Sequence, residues 1–165
     1  VLSRRVIDAF GDYRQYSSLD AWEGIEASTG QLPVEYKEFC SLYGPGIIGR
    51  FIKIFHPDSQ VANMHDQISQ MAPLYQELYP QKIPYEMYPF VADGAILWAL
   101  SAQSDAFFLV PSGWGDWHIG VWYRQWAEWE EYSDDVPTWL TRQVVGELEI
   151  PGIPLKKYGG FSGLA

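Results

Sequence analysis

The chain has 165 residues, the length of one domain, with 47% hydrophobic and 19% charged residues and no low-complexity tract, so a single core is expected and disorder is excluded. Its net charge is −10 and its eleven basic residues form no cluster, which excludes the positive footprint of a nucleic-acid binder and suits a cationic partner. No stretch approaches 18 consecutive apolar residues and the first ten lack a signal-peptide core, so the expected setting is the cytoplasm, off the membrane.

In chain order, the first pattern is a short helix over LDAWEGIEAS, capped by Ser18 or Asp20, with Leu19, Trp22 and Ile25 or Glu26 one turn apart. A second helix is predicted from Pro33, suited to a first helical position, to Tyr43. Its stripe is Tyr36, Phe39, Cys40 and Tyr43, which makes Cys40, the only cysteine, a buried thiol; no intrachain disulfide or cysteine-based zinc site is possible. Next comes YGPGIIGRF, whose Gly44, Gly46 and Gly49 match the dinucleotide fingerprint G-x-G-x-x-G, with Asp66 at a suitable distance. The context is reversed, however. That fingerprint follows a strand and opens a helix, whereas here a helix ends at Gly44-Pro45 and a strand follows near Phe51 to Phe55, so no cofactor is expected.

Asp58 and Ser59 offer a cap for a third helix in which Val61, Met64, Ile68, Met71, Tyr75 and Leu78 recur at helical spacing. Pro73 predicts a kink or stop near Ala72. From Tyr88 the period falls to two. Ile96, Trp98 and Leu100 alternate with smaller residues; Phe107 to Val110 is an apolar run; Ile119, Val121 and Tyr123 alternate; Glu128 to Tyr132 is mixed. The intervening SAQSD, PSGWGDW and RQWA are turn-like, so the four segments read as an antiparallel meander. A last helix, Pro137 to Val145, is capped by Asp134 or Asp135 and stopped by Gly146. The fold class is α+β: one domain over residues 1–165, mostly an antiparallel sheet of about six strands flanked by helices.

Chemistry-bearing patterns are sparse. His56, His65 and His118 are far apart and none has the spacing of a helical zinc motif, so no metal is expected. Asp116 and His118 in GWGDWH look like part of an acid–base pair, but no G-x-S-x-G elbow accompanies them and Ser112 sits in a turn signal. Catalysis is therefore not expected. Of the eight tryptophans, Trp98, Trp122, Trp126 and Trp129 fall on strand patterns and read as core. Trp114 and Trp117 flank Asp116 in a glycine-containing turn, where an aromatic pair can anchor an interface, stack on a sugar or fold back on the sheet. The densest acidic segment is EWEEYSDD, with Glu128, Glu130, Glu131, Asp134 and Asp135, part of it owed to helix capping. These residues, with Trp114, Asp116 and Trp117, are the candidate partner-binding set.

The segment AWEGIEASTGQLPVEYKEFCSLYGPG resembles the N-terminal motif of the SUKH superfamily, through Trp22, Ile25, Glu26, Leu32, Pro33, Tyr36 and Gly44. MYPFVADGAILWAL, FFLV and EWEEYSDDVPTWLTRQVVGE extend the resemblance, so that it spans about residues 19–147 and leaves residues 1–18 as an N-terminal extension. It departs at Ala99, where many relatives have glycine. The resemblance implies helices flanking a sheet of about six strands and a binding role. Bacterial members are mostly immunity proteins that neutralise a polymorphic toxin, often a nuclease; a fungal branch acts in cell-wall regulation. The implied partner is a cationic cognate toxin, and nuclease toxins are basic because they grip phosphate. The competing readings are a small-ligand or carbohydrate-binding module built on Trp114 and Trp117, and a regulatory scaffold.

Overall fold

A computed structural model describes residues 2–17, 19–113 and 116–164, with Leu19 in backbone only. Its frame is one open antiparallel sheet of seven strands, β1 Gly46–Ile48, β2 Ile52–Ile54, β3 Ile96–Ser101, β4 Ala106–Pro111, β5 Trp117–Tyr123, β6 Glu128–Tyr132 and β7 Phe161–Gly163. The spatial order is β6-β5-β4-β3-β2-β1-β7, so β3 to β6 form the expected meander and β6 and β7 are the edges. β1 and β7 are the strands that the sequence patterns did not predict, and the strand near Phe51 is the three-residue β2.

The helices are α1 Arg4–Phe10, α2 Glu23–Thr29, α3 Val34–Tyr43, α4 Met64–Leu78, α5 Val136–Val144 and α6 Leu155–Tyr158, with a 3-10 turn at Leu19–Trp22. They use both faces of the sheet, because alternate residues of a strand point to opposite sides. Trp98 and Phe107 meet Trp139 of α5, and Trp98 also meets Tyr36 of α3. On the other face Trp122 meets Tyr79, just after α4, while Trp129 meets Phe108 and Tyr85. Gly120 makes room for that packing: a Cβ there would lie 2.3 Å from the Trp129 ring.

The segment resembling the family motif has an internal role. Trp22 is fully buried, donates its indole N–H to Ser41 Oγ at 3.1 Å and packs edge-on against Tyr36. Glu26 accepts from the Leu32 amide at 2.7 Å and pairs with the buried Lys37 ammonium at 3.0 Å, which fixes the α2–α3 connection. Pro33 stands one residue before α3, and Tyr36, Phe39 and Cys40 form its buried stripe. Burial pushes the Cys40 thiol well above its ordinary pKa, as expected of an inert buried cysteine. Gly44, at φ 80°, closes α3 by donating to the Cys40 carbonyl at 2.8 Å. The fingerprint glycines thus follow a helix and flank a strand, Gly44 closing α3, Gly46 opening β1 and Gly49 coming just after it, the reverse of a dinucleotide site.

Several expectations are corrected. α4 is capped by Asn63, whose side chain accepts from the Asp66 amide at 3.1 Å, not by Asp58 or Ser59. Ser59 instead closes the preceding turn by accepting from the Ala62 amide. Pro73 neither stops nor shortens α4. It lies on the exposed side with Ser69, whose carbonyl loses its amide donor to the ring but faces solvent, while Ala72 and Tyr75 are buried and hold the helix down. Val61 precedes that helix and is exposed, as is Leu78 at its end. Trp126 belongs to the β5–β6 turn, stacked on Tyr123 at 4.5 Å. Asp20 lies within the 3-10 turn rather than capping it from outside, and Ser18 falls outside the described residues. Asp135, not Asp134, caps α5. Ahead of the segment that resembles the family motif, α1 buries Val6 and Phe10, and Phe10 packs on Phe39 at 5.3 Å.

Candidate functional site

The described candidate residues lie on the start of β5, on the edge strand β6 and on the connection from β6 to α5. The last hairpin of the meander pairs Tyr123 with Glu128 and Ile119 with Tyr132. Alternation then sends Glu128, Glu130 and Tyr132 to the α5 face, and Trp129 and Glu131 to the other.

Glu131 is anchored there. One carboxylate oxygen accepts from the Tyr85 hydroxyl at 2.6 Å and meets His118 Nε2 in a short contact. Burial acts to raise its pKa, but the bonds from Tyr85 and His118 outweigh it and hold the carboxyl below its ordinary value. Tyr85 is pushed up to about 12, chiefly by its bond to that carboxylate. The group is a charged clasp between the edge strand, its neighbour and the segment after α4. Neither Tyr85 nor His118 is in the sequence-derived set. His118 lies two residues from Asp116 in sequence, but its ring is tied to Glu131, and nothing in the pattern around Tyr85 signals a partner 46 residues away.

Past the strand, Asp134 pairs with Arg142 at 2.5 Å, and Asp135 caps α5 by accepting from the Thr138 amide at 2.8 Å. Both carboxylates are committed to α5. Glu130 accepts from the Tyr132 hydroxyl at 2.8 Å, and that hydroxyl is 2.6 Å from Tyr123 Oη. Glu128 and Asp116 are exposed and carry no ion pair among the described residues. The backbone of Asp116 closes its turn by donating to the Gly113 carbonyl at 2.9 Å. Trp117 is half-buried at the start of β5, and Trp114 lies outside the described residues.

Hollows flank this region, among them one of about 710 Å³ lined by Asp116, Trp117, His118 and Glu131, and two more. One, of about 490 Å³, lies between the start of α3 and the start of α5 and is lined by Gln31, Glu35, Asp116, Trp117, Asp134 and Asp135 among others. The second, of about 580 Å³, runs beside the edge strand between Trp126, Glu130 and Tyr132 on one side and Leu148, Ile150 and Pro151 on the other. Among the described residues no group of three or more histidine, cysteine, aspartate or glutamate side chains is placed to hold a metal ion. No helix among the described residues is long and apolar enough to cross a membrane. The arrangement can chemically offer carboxylates, an apolar trough and a free strand edge.

Compared with protein-family models, with curated proteins and with solved structures, the chain gives no match.

Proposed function

We propose that this chain is a non-catalytic immunity protein that binds and neutralises a cationic toxin effector, a basic nuclease domain being the best-fitting kind. The observation that carries the reading is the edge strand β6, where three of five residues are carboxylates and all three are exposed, on a chain of net charge −10. Such a surface steers and holds a basic protein, and a nuclease must present a basic surface to bind phosphate. The resemblance of residues 19–147 to SUKH proteins supports the same reading. Co-expression with the product of the adjacent gene tests it: the expected result is a co-purified complex and rescued growth. No complex and no rescue would end it.

A sugar-binding role is the second reading, supported by Trp117 lining a hollow that also carries Gln31, Asp116 and Asp135. Stacking on an indole beside carboxylate acceptors is how a sugar ring would be held. Calorimetry against a glycan panel decides it, with heat expected for at least one glycan and silence across the panel ruling it out.

A further inference from the structure

β6 has one bonded side and one open side. Its backbone pairs with β5, and among the described residues no backbone hydrogen bond joins residues 128–132 to any other segment. An open edge with no discrimination pairs with any strand, including its own copy. Here a second copy laid on β6 would bring Glu128, Glu130 and Glu131 against the same three carboxylates, and like charges facing one another across strands are destabilising. A cationic strand meets the opposite condition. The trough of about 580 Å³ beside the strand adds apolar selectivity: Glu130 and Tyr132 form one wall, and Leu148, Ile150 and Pro151 the other. Side chains of an added strand alternate, so every second one would point toward that trough.

We propose that the open edge of β6 and its trough dock an extended cationic segment of the partner as an eighth strand, lysine or arginine alternating with aliphatic residues. Backbone bonds to the edge would supply affinity, Glu128 and Glu130 the charge preference, and the trough the register. The inference rests on the reading of a cationic partner and adds where and how that partner is held.

The test uses the full chain and a capped eight-residue peptide of alternating lysine and valine. Two derivatives are N-methylated on one or the other set of alternate amides, which keeps the charge and blocks strand pairing. Calorimetry should show the parent binding and one derivative weakened at least tenfold, and hydrogen exchange should slow at amides within residues 128–132. The double variant E128K/E130K should weaken the parent at least tenfold while its far-UV circular dichroism matches the wild type. Equal binding by both derivatives, protection elsewhere in the chain, or no binding at millimolar peptide overturns the proposal. A parallel arm with the adjacent gene's product separates the two levels. If that protein binds the wild type and E128K/E130K equally, the edge assignment falls while the immunity reading stands. If it does not bind the wild type, the immunity reading falls and the peptide still decides the edge.

Discussion

His56 joins the end of α3 to the loop after β2 through one neutral ring. It is fully buried, its Nε2 donates to the Cys40 carbonyl at the end of α3 at 3.1 Å, and its Nδ1 accepts from the Asp58 amide at 3.0 Å. Burial is the main cause that lowers its pKa below the ordinary 6.5. Because the folded state resists protonation, His56 contributes stability that is fully present above that unfolded value. The contribution is lost as pH falls through the depressed folded value. His56→Gln keeps a donor for Cys40 but not the ring acceptor, so it should cost about 1–3 kcal/mol at pH 7.5. The gap between wild type and variant should narrow as pH falls below 6.5, measured by urea unfolding at a series of pH values. A second residue-scale prediction concerns Glu26, whose partner Lys37 is buried. Glu26→Gln strands the ammonium and should cost about 2–4 kcal/mol, whereas Glu26→Gln with Lys37→Met should recover most of the loss in the same unfolding assay.

At the scale of elements, α5 is the clearest case of a local signal with a measurable worth. Asp135→Ala removes the acceptor for the Thr138 amide and should lower stability by about 1 kcal/mol, with Asp135→Asn nearly neutral, read from thermal unfolding. The strands β3 and β5 were legible because their residues alternate, β4 because it is a short apolar run between turn signals, and α3 because its stripe ends at a glycine and a proline. α1 and β7 were not. α1 has seven residues and buries only Val6 and Phe10, too few to set a period. β7 is Phe-Ser-Gly, a strand only because β1 pairs with it. Pro73 does not stop α4 because its side of the helix faces solvent, which a propensity rule cannot see. The candidate site was half legible. The acidic run stands out in the sequence, but its division does not. Capping assigns Asp135, a salt bridge assigns Asp134, and the clasp to His118 and Tyr85 takes Glu131. That division depends on strand register and on where the helix starts, which composition does not encode.

Across the whole molecule, the charge of −10 predicts kinetics rather than shape. Association with a basic partner should slow by about tenfold or more between 10 mM and 150 mM salt, with a smaller change in dissociation, measured by stopped-flow fluorescence. A salt-independent association rate would show that long-range attraction plays no part. The charge also bears on the sheet, since its two rims differ. One is the carboxylate-bearing β6; the other is the three-residue β7, with Lys156, Lys157 and Tyr158 just before it.

The pairing of β1 with β7 joins residues 46–48 to residues 161–163. During synthesis from the N-terminus, the meander can therefore zip through successive hairpins while β1 stays bare on its outer side until residues 161–163 have emerged from the ribosome. The nascent protein passes through a stage with one flank sealed by repulsion and the other still sticky. A ribosome stalled before residue 161 would hold the chain at that stage.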